Sequence, residues 1–233
     1  MRDMDERKFP ALSASEKISG LIWYALCKRD AIDQMRRFSV PADGHEMRMA
    51  YSSYFVNLQS LIDRSKELFG DSLVDDWINC LDGYGEQSGE ENERYIRELR
   101  NAIVHRGLNP TASAEVLGNF VLPHSPMSFP SRAGKTVTAR PPDRFLLQIA
   151  FRCEEHINDI IIKHAQPHIN SIGSIPIKKR SEEIIEFVRS SKFIPEEIKT
   201  MFLRNVEKIP FQTFFDNDAK ALSDALNWKI HES

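Results

Sequence analysis

Apolar residues recur at helical spacing over most of the chain. Ser13 and Glu16 have the spacing of a capping box ahead of Ile18, Leu21, Ile22, Ala25, Leu26 and Ile32, which predicts a first helix over 14–38, closed by Pro41 and Gly44. A second apolar stripe, Tyr51, Tyr54, Phe55, Leu58, Leu61, Ile62 and Leu68, predicts a helix over 46–69 that stops at Gly70. Residues 71–81 read as a short helix carrying Trp77. Ser88 and Glu91 form a second capping-box pair and open a helix that ends at Gly107. With about 100° per residue, Tyr95, Ile96, Leu99, Ala102 and Ile103 fall on one side of it, while Arg94, Arg97, Glu98, Asn101 and His105 gather on the other.

Helical periodicity fails over 108–142, where six prolines punctuate the chain. Within it, 116–122 and 136–138 are candidates to pair as a small hairpin. Helix returns from an expected N-cap at Asp143 through Phe145, Leu146, Ile149, Ala150, Cys153, Ile157 and Ile160 to about Ala165. Pro167 to Ile177 reads as a linker, followed by short helical patterns at 182–189, 195–205 and 218–229. The expected class is therefore all-α, with a core domain over 1–166 interrupted by the irregular insertion, and a C-terminal helical appendage over 167–233.

A 233-residue chain with 41% apolar and 28% charged residues has the composition of a folded globular protein rather than a disordered one. Its formal net charge of −3 excludes a broad electrostatic grip on nucleic acid, so any such contact is expected to be local. Cys27, Cys80 and Cys153 are odd in number and lack ligand spacing, so neither a disulfide framework nor a zinc site is expected, and a reducing cytoplasm fits best. His156, His164 and His168 match no metal-ligand box. The charged N-terminus and the short apolar runs give no membrane span. The Lys178-Lys179-Arg180 run reads as a solvated turn, and Phe193, Phe202, Phe211, Phe214, Phe215 and Trp228 read as packing of the appendage.

The densest chemistry is Leu99-Arg100-Asn101-Ala102-Ile103-Val104-His105-Arg106-Gly107. With 18 Arg, 11 Asn and 7 His in the chain, an Arg-Asn pair followed by His four residues later arises by chance with an expectation of roughly 0.03. Arg100 offers a planar fork for two phosphate oxygens. His105 is the only side chain near it that titrates around neutrality. Asn101 stacks one turn from His105 and is placed to orient it or to bind a phosphate or ribose oxygen. Arg94, Arg97 and Arg106 are candidates for further phosphate contacts. A purely structural account is also open: Arg106 and His105 favour the C-terminal helix dipole, Gly107 caps the helix, and Arg100 pairs with a carboxylate such as Glu98 or Asp63.

At this motif the chain resembles the HEPN superfamily, whose ribonuclease members carry an Arg-x(4–6)-His pattern late in a long helix. Phe55-Val56-Asn57-Leu58-Gln59-Ser60-Leu61-Ile62-Asp63 resembles the helix that packs antiparallel to it. The resemblance spans about 14–165, and its insertion is longer than a minimal member would have. It implies an antiparallel bundle of about four helices and a homodimer with facing motifs. It also implies metal-independent endoribonuclease activity without a cofactor, with Arg100, Asn101 and His105 as catalytic residues. Members often act as toxins or phage-defence effectors, which implies an antitoxin or other regulatory protein as a further partner. The competing expectation is a non-catalytic helical module that binds RNA or protein.

Overall fold

The computed structural model describes residues 14–130, 136–174, 182, 185–186, 188–191, 194–205 and 220–226. Among them the chain is mainly helical, with two small antiparallel hairpins. The helices are α1 (Ala14–Met35), α2 (Gly44–Phe69), α3 (Asp71–Cys80), α4 (Gly89–Arg106), α5 (Leu146–Glu154), α6 (Ile157–Ser174) and α7 (Glu196–Asn205). Residues 220–226 are also helical. No helix of the described residues is long and apolar enough to cross a membrane.

α2 is central, packing against α1, α3, α4, α5 and α6. Its start is fixed by Asp43, whose carboxylate accepts from the backbone N–H groups of His45 and Glu46 at 2.7 and 3.0 Å. These two bonds hold the Asp43 carboxyl below its usual range. Gly70 ends α2 at φ 91°. The stripe Tyr51, Tyr54, Phe55, Leu58 and Leu61 is fully buried, as are Leu21 and Ile32 of α1 and Ile149 and Leu146 of α5.

A polar knot crosses this core. Lys28 of α1 donates to both carboxylate oxygens of Glu154 in α5 and to Asn158 Oδ1 in α6. Tyr54 donates to Glu154 Oε1 at 2.9 Å and approaches the Ala150 carbonyl at 3.0 Å. The Lys28 and Glu154 side chains are 1% and 2% exposed. Four helices thus meet on one ion pair whose partners lie 126 residues apart.

Several expected elements are corrected. α1 ends at Met35 rather than 38. The insertion holds two hairpins: β1 (Ala114–Leu117) pairs with β2 (Phe120–Pro123), and β3 (Ser128–Pro130) pairs with β4 (Thr136–Thr138). Thr136–Thr138 therefore finds a different partner from the one expected. Asp143 does not cap a helix. Its Oδ1 takes the Arg144 N–H and its Oδ2 the Tyr84 hydroxyl, and α5 starts after Phe145, whose N–H donates to Gln148 Oε1. The expected single helix breaks at Glu155 and His156 into α5 and α6. α6 then runs through Pro167 to Ser174, so the linker expected from 167 is helix over its first eight residues. Ser13, 178–180, Phe193, Phe211, Phe214, Phe215 and Trp228 lie outside the described residues, and nothing is described of the Glu16 and His168 side chains.

Candidate functional site

α4 is fastened at both ends. At its start the Ser88 hydroxyl accepts from Glu91 N–H at 3.3 Å while Glu91 Oε2 takes the Ser88 N–H at 3.1 Å, the reciprocal box expected from the sequence. The Ser88 N–H, and then the Ser88 hydroxyl, draw the Glu91 carboxyl below its usual range. Buried Asn92 donates to the carbonyls of Leu81 and Tyr84, both at 2.9 Å, which ties α4 to the end of α3. Gly89 permits this approach: a Cβ there would sit 2.0 Å from the Ile78 carbonyl oxygen. At the far end Gly107 adopts φ 69°, ψ 22°, and Leu108 N–H returns to the Ala102 carbonyl at 3.0 Å.

The core side of α4 is Tyr95, Ile96, Leu99 and Ala102, all buried. Tyr95 also anchors the insertion. Its hydroxyl donates to the Pro126 carbonyl at 3.0 Å, and its ring meets that of fully buried Phe129 at 5.4 Å. Residues 108–130 therefore return to the motif helix.

The motif residues lie in the last two turns. Arg100 is half-buried on the flank. Its Nη1 donates to Asn101 Oδ1 at 3.1 Å, and its sheltered Nε finds no partner among the described residues. Neither of the carboxylates considered for Arg100 is bound to it: Glu98 takes Arg106 at 3.2 Å and Asp63 takes the Gln59 amide at 2.9 Å. Asn101 is half-buried, and His105, one turn on, is exposed with no bond to any described residue. Val104 beside it is 46% exposed.

The outlying arginines separate into different environments. Arg94 is exposed and makes no ion pair with a described residue. Arg97 is exposed and pairs with Glu93 at 3.3 Å. Burial pushes the Glu93 carboxyl up, and Arg97 opposes that shift. Arg106, 18% exposed, is held by Glu98, which lies on the side of the helix that carries Asn101 and His105. The structure thus joins Arg100 to Asn101, leaves His105, Arg94 and Arg97 on the open side, and ties Arg106 to Glu98.

Two polar clusters escaped sequence reasoning, the first because its members are distant in the chain and the second because it depends on the register of one hairpin. One is the Lys28 knot. The other is Ser113, Glu115 and His124 with Arg144 across the base of the first hairpin. Elsewhere, His164 and Lys163 of α6 both reach Asp76 Oδ2 at 2.7 Å. Cys153 is buried, and its thiol is held well above the usual range by burial. Among the described residues no group of three or more His, Cys, Asp or Glu side chains is placed to hold a metal ion.

No family model, no curated protein and no solved structure matches this chain.

Proposed function

We propose that the chain is an endoribonuclease of the HEPN type that cleaves RNA through the substrate's own 2′-hydroxyl, without a metal. The observation that carries this reading is the state of the motif. Arg100 rests on a neutral amide rather than a carboxylate, and His105 stands exposed one turn from that amide, with no partner among the described residues. An arginine whose charge is not cancelled by an acid keeps its attraction for a phosphodiester anion and for the pentacoordinate phosphorane that forms from it.

The chemistry divides naturally among these groups. Neutral His105 takes the 2′-hydroxyl proton, and the 2′ oxygen attacks the adjacent phosphorus. Arg100 binds the equatorial oxygens as negative charge develops, exchanging its hydrogen bond to Asn101 for the phosphate. Asn101 then turns its amide to the phosphate or ribose. The leaving 5′ oxygen needs a proton, and one chain supplies one motif histidine. A second copy with its motif facing the first supplies the other His105, which makes the working unit a symmetric dimer of four-helix bundles. The products are a 2′,3′-cyclic phosphate and a 5′-hydroxyl. Arg94 and Arg97, on the same open side, supply local phosphate contacts that the net charge of −3 does not reveal. Arg106 reaches a phosphate only by exchanging its pair with Glu98. In this reading the protein acts as a cytoplasmic toxin or phage-defence effector, with activity held in check by an antitoxin or other regulatory protein.

The test is cleavage of a labelled single-stranded RNA in excess EDTA, followed by end-group analysis. His105→Ala is expected to lose about 10²–10⁴-fold in rate. Because His105 is exposed and unbonded, its melting temperature stays near that of the parent. RNA that is bound but never cut, with Arg100→Ala changing affinity alone, would establish a binding module instead.

A further inference from the structure

We infer that Ser113, His124 and Glu115 form a second reactive centre, a serine nucleophile for small activated carboxylic esters, on the inserted hairpin. The hairpin register builds it. Ala114 lies opposite Pro123, so Ser113 lies opposite His124, and the His124 N–H donates to the Ser113 carbonyl at 2.9 Å. Strand alternation then puts Ser113, Glu115 and His124 on one face of the hairpin.

Side-chain contacts complete the arrangement. Ser113 Oγ lies 3.0 Å from His124 Nδ1, and His124 Nε2 lies 3.2 Å from Glu115 Oε2. A carboxylate only accepts, so the neutral ring that satisfies both contacts carries its hydrogen on Nε2 and offers the Nδ1 lone pair to the serine hydroxyl. This is the relation of nucleophile, base and orienting acid that activates a serine, with the two ring nitrogens in exchanged roles. The ring is further fixed by stacking on Phe145, 5.4 Å between centroids and 16° between planes. Arg144, which binds Glu115 and lies over the same Phe145 ring, keeps further N–H groups for a developing oxyanion. Ser113 is exposed between exposed Ala112 and Ala114, so small substrates reach it without a channel.

The proton and bond balance closes without a further reagent. Ser113 Oγ attacks the ester carbonyl carbon as its proton passes to His124 Nδ1. The tetrahedral oxyanion collapses, the carbon–oxygen bond to the alcohol breaks, and the alkoxide takes the proton from Nδ1. Water repeats the sequence against the acyl-serine, releasing the acid and restoring Ser113.

The experiment is labelling of the intact protein with an alkyl fluorophosphonate, read by intact mass and peptide mapping, alongside hydrolysis of p-nitrophenyl acetate. A single adduct on Ser113 is expected, forming about 10²-fold more slowly in His124→Gln. Glu115→Gln, which keeps a neutral acceptor, is expected to fall between the two. Adducts scattered over exposed serines such as Ser128, or a Ser113 rate unmoved by His124→Gln, would overturn the inference. If His124→Gln loses its helical circular dichroism, the folded Glu115→Gln variant decides: an unchanged Ser113 rate there overturns the inference as well.

Discussion

Replacing Lys28 by Met tests how the helices around α2 are held. The substitution nearly preserves volume but removes the cation from a carboxylate that is 2% exposed. Glu154 keeps the Tyr54 hydroxyl at 2.9 Å and gains nothing in exchange for the ammonium. Breaking one side of a buried pair in this way is destabilising by about 3–5 kcal/mol, because the remaining charge is neither solvated nor paired. Against a typical total of about 5–15 kcal/mol that is a large fraction of the stability. In a domain of this size it lowers the melting temperature by about 10 °C. The double variant Lys28→Met/Glu154→Met removes both charges and leaves Tyr54 with the Ala150 carbonyl at 3.0 Å. It is expected to recover most of the loss. Urea denaturation followed by circular dichroism measures both, with equal slopes showing that the unfolding unit is unchanged. A single variant within about 1 kcal/mol of the parent, or a double variant no better than the single, would refute the view that this pair is a desolvated ionic contact.

Two further substitutions probe the frame of the motif. Gly89→Ala drives a methyl group into the Ile78 carbonyl, 2.0 Å away. It is expected to lower stability by about 1–3 kcal/mol in the same urea assay, and a neutral effect would show that α3 and α4 part freely. Asp76 is held below the usual carboxylate range of about 3.8, first by the Lys163 hydrogen bond and then by that of His164. Because its folded value lies below its unfolded one, the stability it adds is present above the unfolded value and is lost as pH falls through the folded one. Asp76→Asn should therefore lower the urea midpoint at pH 7, with the two proteins converging in strong acid. A gap that persists when Asp76 is protonated would assign the effect to packing.

The motif helix was legible because its signals are local. Ser88 and Glu91 are three residues apart, Gly107 follows the last apolar position, and the alternation of Tyr95, Ile96 and Leu99 with Arg94, Arg97 and Asn101 names its two sides. The environment of each arginine was less legible, since Arg106 and Arg97 carry the same charge but meet Glu98 and Glu93 in different surroundings. Pro167 misled because a proline removes one helical hydrogen bond without ending a helix whose other turns remain bonded. Thr136–Thr138 showed its extended character but not its partner, because strand pairing depends on where the intervening prolines send the chain. The Lys28 knot has no signature in sequence spacing, as its ion pair joins residues 126 positions apart, and Ser113, Glu115 and His124, though close in the chain, meet only through the register of their hairpin.

The seating of Phe129 against Tyr95 alters the character of the whole excursion between α4 and α5. A chain pinned near its middle is two modest loops rather than one long one, and the entropy of closing each grows only as the logarithm of its own length. The first of them is held at its far end too, where Val40 N–H donates to the Asn119 carbonyl and Val121 N–H to the Phe38 carbonyl, so the hairpin that carries Ser113 is braced on the α1–α2 connection independently of the helix that carries His105.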